Sequence, residues 1–321
     1  MTIPRIKNMS ASVRQRLQNY AQTSGRPFGE VLQYYAMERF LYRLSVSPYA
    51  GKFLLKGALM LAAWRAPVSR PTMDIDLLGR TTNEVEAIVQ QMREVAQVEA
   101  PNDGIVFDPA SFAGNAIRED ADYSGVRVTF TGNLGAARIH MQIDIGFGDI
   151  VTPAPEKLSY PTILDFPAPM LFGYSRETAI AEKLQALVQL RMLNSRMKDY
   201  YDLWLLSGHP ELSVPTLRVA IQRTFQNRNT AIEAAPVGLS AEFCKDPGKE
   251  AQWRAFLKRS NLTEMPRSLV EIGEALREFF GPILNDLANQ QRIAALHRLA
   301  RDAHDEELYG KNEMPEGGSD Q

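Results

Sequence analysis

Apolar residues recur at helical spacing near the start of the chain. Ser10 and Ser12 are candidate N-caps for a short helix that ends near Tyr20. After a Gly-Arg-Pro turn, the same spacing predicts a longer helix over residues 28–46, which a Ser-Pro pair ends. We therefore expect two helices before the first strand.

Apolar and polar positions alternate in the following stretch, which is typical of strands that are buried on one face. In one such segment Ile75 lies on the apolar face, and Asp74 and Asp76 lie on the polar face. A capping box at positions 81–84 predicts that a helix follows this strand. The strands predicted from the pattern are Phe53–Leu55, 73–78, 126–130 and 139–145.

The second half of the chain has mainly helical periodicity. Five prolines lie between residues 151 and 169, a density that predicts a linker or an extended wrap. The helices predicted after it are 176–194, 197–207, 214–226, 250–259, 264–284 and 286–308, with a loose polar tail from Gly310. The pattern therefore predicts an α+β fold in two domains, with strands and helices in residues 1–150 and a helical domain in residues 151–321.

Composition narrows the class of protein. The 36 Lys and Arg residues nearly balance the 38 Asp and Glu residues, which argues against a histone-like basic protein and against an acidic disordered one. The single cysteine excludes a disulfide framework and a four-cysteine zinc site. No apolar run is long enough for a membrane span or a signal peptide, so we expect a cytoplasmic protein with no membrane partner.

The charge is unevenly distributed along the chain. Residues 302–321 form an acidic tail with seven acids and one lysine, a net charge of −6. The whole chain carries −2, so residues 1–301 carry −2 minus −6, or +4. A mildly basic body of this kind can hold a polyanion locally without being a general nucleic-acid binder.

Asp74 and Asp76 are the strongest indication of chemistry. Carboxylates at positions i and i+2 of a strand project to the same side, and they repel each other unless a cation lies between them. Asp144 lies on the polar face of a later strand, and a third carboxylate would complete an oxygen-only site suited to Mg²⁺ or Mn²⁺. Such a trio can support two-metal nucleotidyl transfer. A solvated strand face is the alternative interpretation of an isolated Asp-x-Asp.

A glycine turn precedes these carboxylates. Gly57, between Lys56 and Ala58, lies where a strand turns into a helix, and backbone N–H groups at such a turn favour phosphate. A tight turn with no ligand is the alternative. Arg70 and Thr72 lie just upstream of the Asp-x-Asp and could meet a triphosphate or a leaving pyrophosphate, or be plain loop residues.

Four sequence blocks occur in one order: Leu54–Met60, Arg70–Gly79, Arg176–Leu184 and Arg196–Leu203. Together they resemble the AbiEii/MenT family of nucleotidyltransferase toxins, within the DNA polymerase β-like nucleotidyltransferase superfamily. The resemblance implies a polymerase β-like domain with a short mixed sheet, followed by a helical domain that closes the active-site cleft. It also implies an enzyme that takes an NTP as substrate, uses Mg²⁺ or Mn²⁺, and releases pyrophosphate.

The resemblance also assigns roles to residues. Either Asp199 or Asp202 would complete the site from the helical half, and the spacing does not distinguish them. Ala58 stands where polymerase β-like enzymes typically have serine, so a hydroxyl contact to phosphate is absent there. The candidate catalytic residues are Asp74, Asp76, Lys183, Asp199 and Asp202, the nucleotide-binding candidates are Lys56, Gly57, Ala58, Arg70, Thr72 and Lys198, and the metal-ligand candidates are Asp74, Asp76 and Asp144.

Characterised relatives in that family modify the 3′ end of tRNA and are encoded beside an antitoxin. The resemblance therefore implies an RNA acceptor, tRNA in particular, and a cognate antitoxin protein as partner. Two alternatives stay open. One is a regulatory protein that keeps the fold and binds nucleotide or a partner without transfer, and the other is a nucleotidyltransferase acting on a protein or a small molecule.

Helical spacing alone gives the residues of the second half ordinary roles. Lys183 lies beside an apolar stripe and would extend along it to solvent. Lys198 and Asp202 are four residues apart and would form a surface salt bridge. A scattered basic set could meet an RNA backbone or form a solvated face: Arg191, Arg196, Lys198, Arg218, Arg223 and Arg228.

Overall fold

The computed structural model describes residues 8–65, 70–120, 123–262 and 268–309. The helices are α1 (Met9–Ser24), α2 (Phe28–Val46), α3 (Leu59–Ala63), α4 (Val85–Ala96), α5 (Arg176–Leu190), α6 (Met197–Ser207), α7 (Val214–Asn227), α8 (Ala241–Lys245), α9 (Pro247–Arg259) and α10 (Leu269–Tyr309). The strands are β1 (Phe53–Lys56), β2 (Ile75–Gly79), β3 (Ile105–Phe107), β4 (Ala113–Asp120), β5 (Tyr123–Leu134), β6 (Ala137–Phe147), β7 (Glu156–Ser159) and β8 (Met170–Gly173).

The strands form one mixed sheet. Its order is β3-β5-β6-β2-β1-β8-β7, and β4 pairs with the long strand β5. The pairs β2–β6 and β1–β8 are parallel, and the other neighbours are antiparallel. Helices and a mixed sheet in one chain confirm the α+β fold expected from the sequence.

The described part of the chain has two large apolar cores and one small cluster, which consists of Leu54, Leu78 and Tyr174. The first contains α1, α2, α4 and the apolar side chains of the sheet, and it extends along the chain to Leu171. The second lies among α5 to α10 and also takes Leu61 from α3. The sheet and the first core continue past residue 150, and the division of the chain into two domains stays a prediction.

The N-terminal predictions need two corrections. α1 extends to Ser24, and its N-cap is Asn8, whose side chain accepts from Ala11 N–H, whereas Ser10 donates to the Gly104 carbonyl. The capping box at 81–84 does not form, because Glu84 is the N-cap of α4 and makes no side-chain cap hydrogen bond. The four-residue capping-box sequence therefore predicts correctly where this helix begins, but the side-chain hydrogen bonds of a capping box are not made.

The second half also departs from the pattern. The proline-rich segment is an extended wrap rather than a linker, because β7 lies within it and pairs with β8. α10 is one helix rather than two, with Pro282 inside it. A proline removes a single backbone hydrogen bond, and the neighbouring Phe280, Ile283 and Leu284 are buried against other helices, which holds the helix continuous. The loose tail expected from Gly310 lies outside the described residues.

No helix in the described part of the chain is both long enough and apolar enough to cross a membrane.

A buried ion pair ties α2 to the sheet. Arg43 Nη1 lies 2.8 Å from Asp103 Oδ2, and the same carboxylate accepts from Ile105 N–H at 3.1 Å, just where β3 begins. Both side chains are at least nine-tenths buried. Removing one partner of such a pair leaves the other charge in an apolar environment.

We therefore expect Asp103→Ala to lower the free energy of unfolding by about 3 to 5 kcal/mol, measured by urea denaturation. The control is Arg254→Ala, which removes an ion pair whose arginine is 74% exposed and should change the same free energy by less than about 1 kcal/mol. Equal losses in the two variants would contradict the role assigned to Asp103.

Candidate active site

Three carboxylates meet on the sheet. β2 and β6 are parallel neighbours in which Asp76 lies opposite Asp144, and Asp74 comes just before β2. The nearest oxygens of the three side chains all lie within 4.8 Å of one another. The structure thus brings together the three carboxylates that the strand pattern singled out, and their role as metal ligands stays a prediction.

A row of charged residues crosses the sheet at this level. Arg127 of β5 lies opposite Asp144, Asp144 lies opposite Asp76, and Asp76 lies opposite Lys56 of β1. Residues directly opposite each other on neighbouring strands project from the same face. Two cations therefore flank the two carboxylates on the face that carries the site.

Arg127 makes a two-pronged contact with Asp144. Its Nε and Nη2 atoms lie 2.8 and 2.7 Å from the two carboxylate oxygens, and Gln142 donates to the same oxygens. Arg127 is not among the residues expected from the sequence. It could be found from the sequence once the β5–β6 hairpin is recognised. Leu134 pairs with Ala137 at the turn, and counting outward from that pair along both strands places Arg127 opposite Asp144.

Gly57 is required by its backbone and by its neighbour. Its φ angle is +70°, and a Cβ atom placed on it would lie 1.9 Å from Asp76 Oδ2. The expected glycine turn between β1 and α3 is therefore present, but the carboxylate of Asp76 fills the space beside it. α3 has only five residues, so its dipole is weak, and phosphate binding at this turn stays a prediction.

Two other nucleotide-binding candidates, Ala58 and Thr72, are buried and do not line the cleft described below. Ala58 is 5% exposed and belongs to the packed start of α3. Thr72 is 7% exposed, and its hydroxyl donates to Asp74 Oδ1. The structure therefore gives Thr72 a positioning contact with Asp74.

Helices α5 and α6 form the opposite wall. The Lys183 ammonium lies 3.0 Å from Asp199 Oδ1 and 2.9 Å from Asp202 Oδ2. Arg70 binds both oxygens of Asp202 at 2.9 Å, and Arg196 lies 2.6 Å from Asp199. The block that contains Lys183 and the block that contains the two aspartates thus meet in one charge cluster.

This cluster corrects two predictions drawn from helical spacing. Lys183 does not extend along an apolar stripe to solvent, since its side chain is 15% exposed and pairs with both aspartates. Lys198 and Asp202 do not form a surface salt bridge, because Asp202 is 1% exposed and is held by Arg70 and Lys183. The spacing within one helix could not reveal which neighbouring element supplies the partner.

The cluster keeps its carboxylates charged. Burial raises the pKa of Asp199, but Lys183 and Arg196 outweigh burial and hold that pKa well below its ordinary value. Burial also raises the pKa of Asp202, and Arg70 together with Lys183 lowers it below the ordinary value. Burial lowers the pKa of Lys183 and the two aspartates raise it, with a net increase. The lysine therefore stays cationic at neutral pH.

A second cluster lies at another part of the cleft. Asp149 accepts from Arg228 at 2.8 Å and lies 3.6 Å from the Lys56 ammonium. Glu182 lies 3.7 Å from Arg228, and burial raises its pKa to about 7 against the opposing charges of Lys56 and Arg228. Burial raises the pKa of the Tyr174 hydroxyl well above its ordinary value, and the neighbouring Glu182 carboxylate raises it further.

Arg228 was expected on a scattered basic surface, but its side chain is only 9% exposed and takes part in this second cluster. Asp149, Tyr174 and Glu182 were not singled out in the sequence. The sequence gives little indication that they belong to the site. Asp149 and Tyr174 lie just after strands, Glu182 lies within α5, and their partners are set by the tertiary fold.

These groups surround one cleft of about 610 Å³, a size typical of small-molecule sites. The candidates that line it are Lys56, Gly57, Arg70, Asp74, Asp76, Asp144, Lys183, Lys198 and Asp199. Asp202 lies behind Arg70 and Lys183, so both Asp199 and Asp202 support the wall while Asp199 lines it. The walls come from the sheet and from the helices.

Residues 39–282 match the family model described as Nucleotidyl transferase AbiEii toxin, Type IV TA system. The chain belongs to the AbiEii nucleotidyltransferase toxin family. As a member of that family, this AbiEii chain is a nucleotidyltransferase of a toxin–antitoxin system, which implies a nucleotide substrate and an antitoxin partner. A search of curated protein sequences finds no match.

Two solved structures show a distant likeness to the AbiEii chain. JHP933 from Helicobacter pylori is 15% identical with a TM-score of 0.43, over 82% of this chain and 94% of that one. An antigenic nucleotidyltransferase-like protein from Paracoccidioides brasiliensis is 14% identical with a TM-score of 0.33, over 60% of this chain and 90% of that one. Both scores lie below 0.5, so neither likeness bears on function.

The contact between Gly57 and Asp76 makes Gly57→Ala a direct test of the site. The added methyl group must displace the Asp76 carboxylate, and alanine at positive φ adds about 1 kcal/mol of strain. We expect at least about a 100-fold loss of nucleotidyl transfer, because small displacements of reacting groups cost that much.

The matched control is Gly51→Ala, just before the same strand, where an added Cβ atom meets nothing within 4 Å. It should retain activity. Transfer rates and urea denaturation are measured for both variants, and full activity in a folded Gly57→Ala protein would contradict the geometry.

Lys183→Met tests the charge cluster through pH. The ion pairs of Asp199 and Asp202 stabilise the fold above the ordinary carboxyl pKa of about 4, and that stability is lost as the pH falls through the lowered native values. Without Lys183 the native pKa values rise. Since Arg70 and Arg196 still pair with the two aspartates, we expect the free energy of unfolding to fall by only about 2 kcal/mol at neutral pH, with acid destabilisation beginning at a higher pH.

Urea denaturation across a pH series measures this effect. Lys245→Met, at an exposed position of α8, is the control and should keep the acid profile of the parent protein. Coincident profiles for Lys183→Met and the parent would show that Lys183 does not set the charge state of the two aspartates.

Proposed function

We propose that this AbiEii chain is a Mg²⁺- or Mn²⁺-dependent enzyme that transfers a nucleotide from an NTP to an RNA hydroxyl, at the 3′ end of tRNA, and thereby acts as the toxin. The observation that carries the proposal is the set of three carboxylates, Asp74, Asp76 and Asp144, facing Lys183 across one cleft. Because the proposed acceptor is tRNA, we also propose that the protein acts in the cytoplasm.

The carboxylate trio fits a hard divalent cation. Its donors are all oxygens, and their mutual distances of up to 4.8 Å suit ligands of a shared ion. Asp144 is shared with Arg127 in the present arrangement, so metal binding there requires that Arg127 give up part of its contact. When bound, a divalent ion supplies charge neutralisation at the α-phosphate and at the attacking oxygen.

The residues of the chain then have separable tasks. Asp74 and Asp76 would hold the ion, and Thr72 fixes the orientation of Asp74 through its hydroxyl. Lys183 donates to the phosphate oxygens from a position fixed by Asp199 and Asp202. The acceptor oxygen forms a bond to the α-phosphorus as the bond to pyrophosphate breaks, and a carboxylate of the trio accepts the hydroxyl proton.

The same set of residues favours an enzyme over a regulatory protein that only binds nucleotide. A binding protein needs cations for the phosphates, but it does not need three carboxylates close together, since these repel the phosphates in the absence of a cation. The RNA acceptor follows from the family resemblance, and the excess of cations around the cleft supports a polyanionic substrate.

Labelling of RNA tests the proposal. Purified protein is incubated with total RNA, Mg²⁺ or Mn²⁺, and each α-labelled NTP in turn, and the products are separated by size. We expect label in tRNA with the divalent ion and none with a chelator. Asp76→Asn should abolish the label, whereas Asp286→Asn, at a half-exposed position on α10, should not.

Label on a protein or small molecule, with none in RNA for any NTP, would replace the RNA acceptor by one of those classes. Label that persists in the Asp76→Asn protein would overturn the site itself.

A further inference from the structure

A groove of about 660 Å³ adjoins the cleft. The two cavities share three lining residues, Arg70, Arg196 and Lys198. Arg70 and Arg196 also bind Asp202 and Asp199, the partners of Lys183, so the groove opens next to the charge cluster of the helical wall. A ligand in the groove therefore ends close to the reacting groups.

The groove is cationic. Its charged lining consists of Arg70, Arg196, Lys198 and Arg259, and no carboxylate lines it within the described part of the chain. Among the described residues, the side chains of Lys198 and Arg259 make no hydrogen bond or ion pair, and both residues are exposed. Exposed cations that form no ion pair are available to phosphodiester groups.

One face of α9 lines the far side of the groove. Ala255 and Phe256 lie three and four residues after Gln252, and Arg259 lies four and three residues after them, so all four residues lie on the same side of the helix. Opposite them is the start of α6, whose N-cap residue, Arg196, makes no side-chain cap hydrogen bond. The helix N-terminus adds positive potential to that of the side chains.

The groove also has an apolar component. Met197 and Phe256 line it and are 3% and 7% exposed, so each presents a small apolar surface between the cations. Cations combined with apolar or aromatic surface are typical of sites for single-stranded nucleic acid, because unpaired bases pack on the apolar groups while the backbone meets the charges. A duplex offers its phosphates but keeps its bases stacked inside.

We propose that this groove binds the single-stranded 3′ segment of the acceptor RNA and guides its terminal hydroxyl into the cleft beside Asp74 and Asp76. The proposal rests on the proposed function for the identity of the acceptor. It adds a location: the strand runs between the start of α6 and the exposed face of α9, with Arg259 at the phosphates and Phe256 beneath a base.

The test compares Arg259 with Lys258, two exposed basic residues in the last turn of α9. Arg259→Glu reverses a charge inside the groove, and Lys258→Glu makes the same change outside it. Both residues complement the helix dipole equally, so a general effect on α9 is matched. Gln252→Glu provides a second groove variant at an exposed position of the same face.

Binding is measured by fluorescence anisotropy without NTP, using a labelled single-stranded RNA and a blunt RNA duplex. We expect Arg259→Glu and Gln252→Glu to weaken single-strand binding, by roughly tenfold for Arg259→Glu, and to lower its log–log salt slope by about one. KM for RNA should rise in parallel while KM for NTP stays unchanged. Lys258→Glu should match the parent protein.

The outcomes separate this proposal from the proposed function. If RNA is nucleotidylated normally by Arg259→Glu and Gln252→Glu, the groove is not the acceptor site although the function stands. If no RNA is nucleotidylated but single-stranded RNA binds through Arg259, the groove proposal holds and the function fails. Equal weakening by Lys258→Glu, or equally tight binding of the blunt duplex, would overturn the groove proposal.

Discussion

The cleft depends on one electrostatic constraint, which is that carboxylates packed within a few ångströms must be neutralised by nearby cations. Asp74, Asp76 and Asp144 bring three carboxylates within 4.8 Å of one another, a distance at which like charges repel strongly unless cations lie nearby. Within the described part of the chain, seven cationic side chains and five carboxylates line the cleft. The lining therefore has an excess of positive charge around a carboxylate centre, which is the balance that a polyphosphate substrate requires.

Two ion pairs at the cleft join the two large apolar cores. Arg70, from the segment before β2, binds Asp202 on α6, and Asp149, which follows β6, binds Arg228 after α7. Each contact links the part of the chain that packs on the sheet with the part that packs among the later helices. The separation of the cleft walls is therefore set by polar contacts across the cleft as well as by apolar packing behind it. A change at either end of these pairs reaches both walls.

The carboxylate trio could be anticipated from the sequence because strand alternation is local: it fixes which face Asp76 and Asp144 occupy, once the two strands are neighbours. The partners of the helical residues could not, because the angle at which α5 faces α6 is decided by packing over long sequence distances. Spacing within α6 therefore assigned Asp202 to Lys198, whereas the fold gives it to Arg70 and Lys183. The contact of Arg127 is partly predictable, because the register of the β5–β6 hairpin places Arg127 opposite Asp144 once the position of the turn is known.

Stability alone does not account for the number of buried ion pairs at the cleft, because well-packed apolar residues often serve as well or better. Their arrangement suggests another role. Asp199 and Asp202 lie against Lys183, and Asp149 lies against Arg228, so each carboxylate fixes a cation that lines the cleft. A cation held in this way loses little conformational freedom when phosphate arrives, and it needs little reorganisation as charge develops in the transition state. The number of buried ion pairs at the cleft is therefore explained by preorganisation of the cations for a polyphosphate, and not by stability.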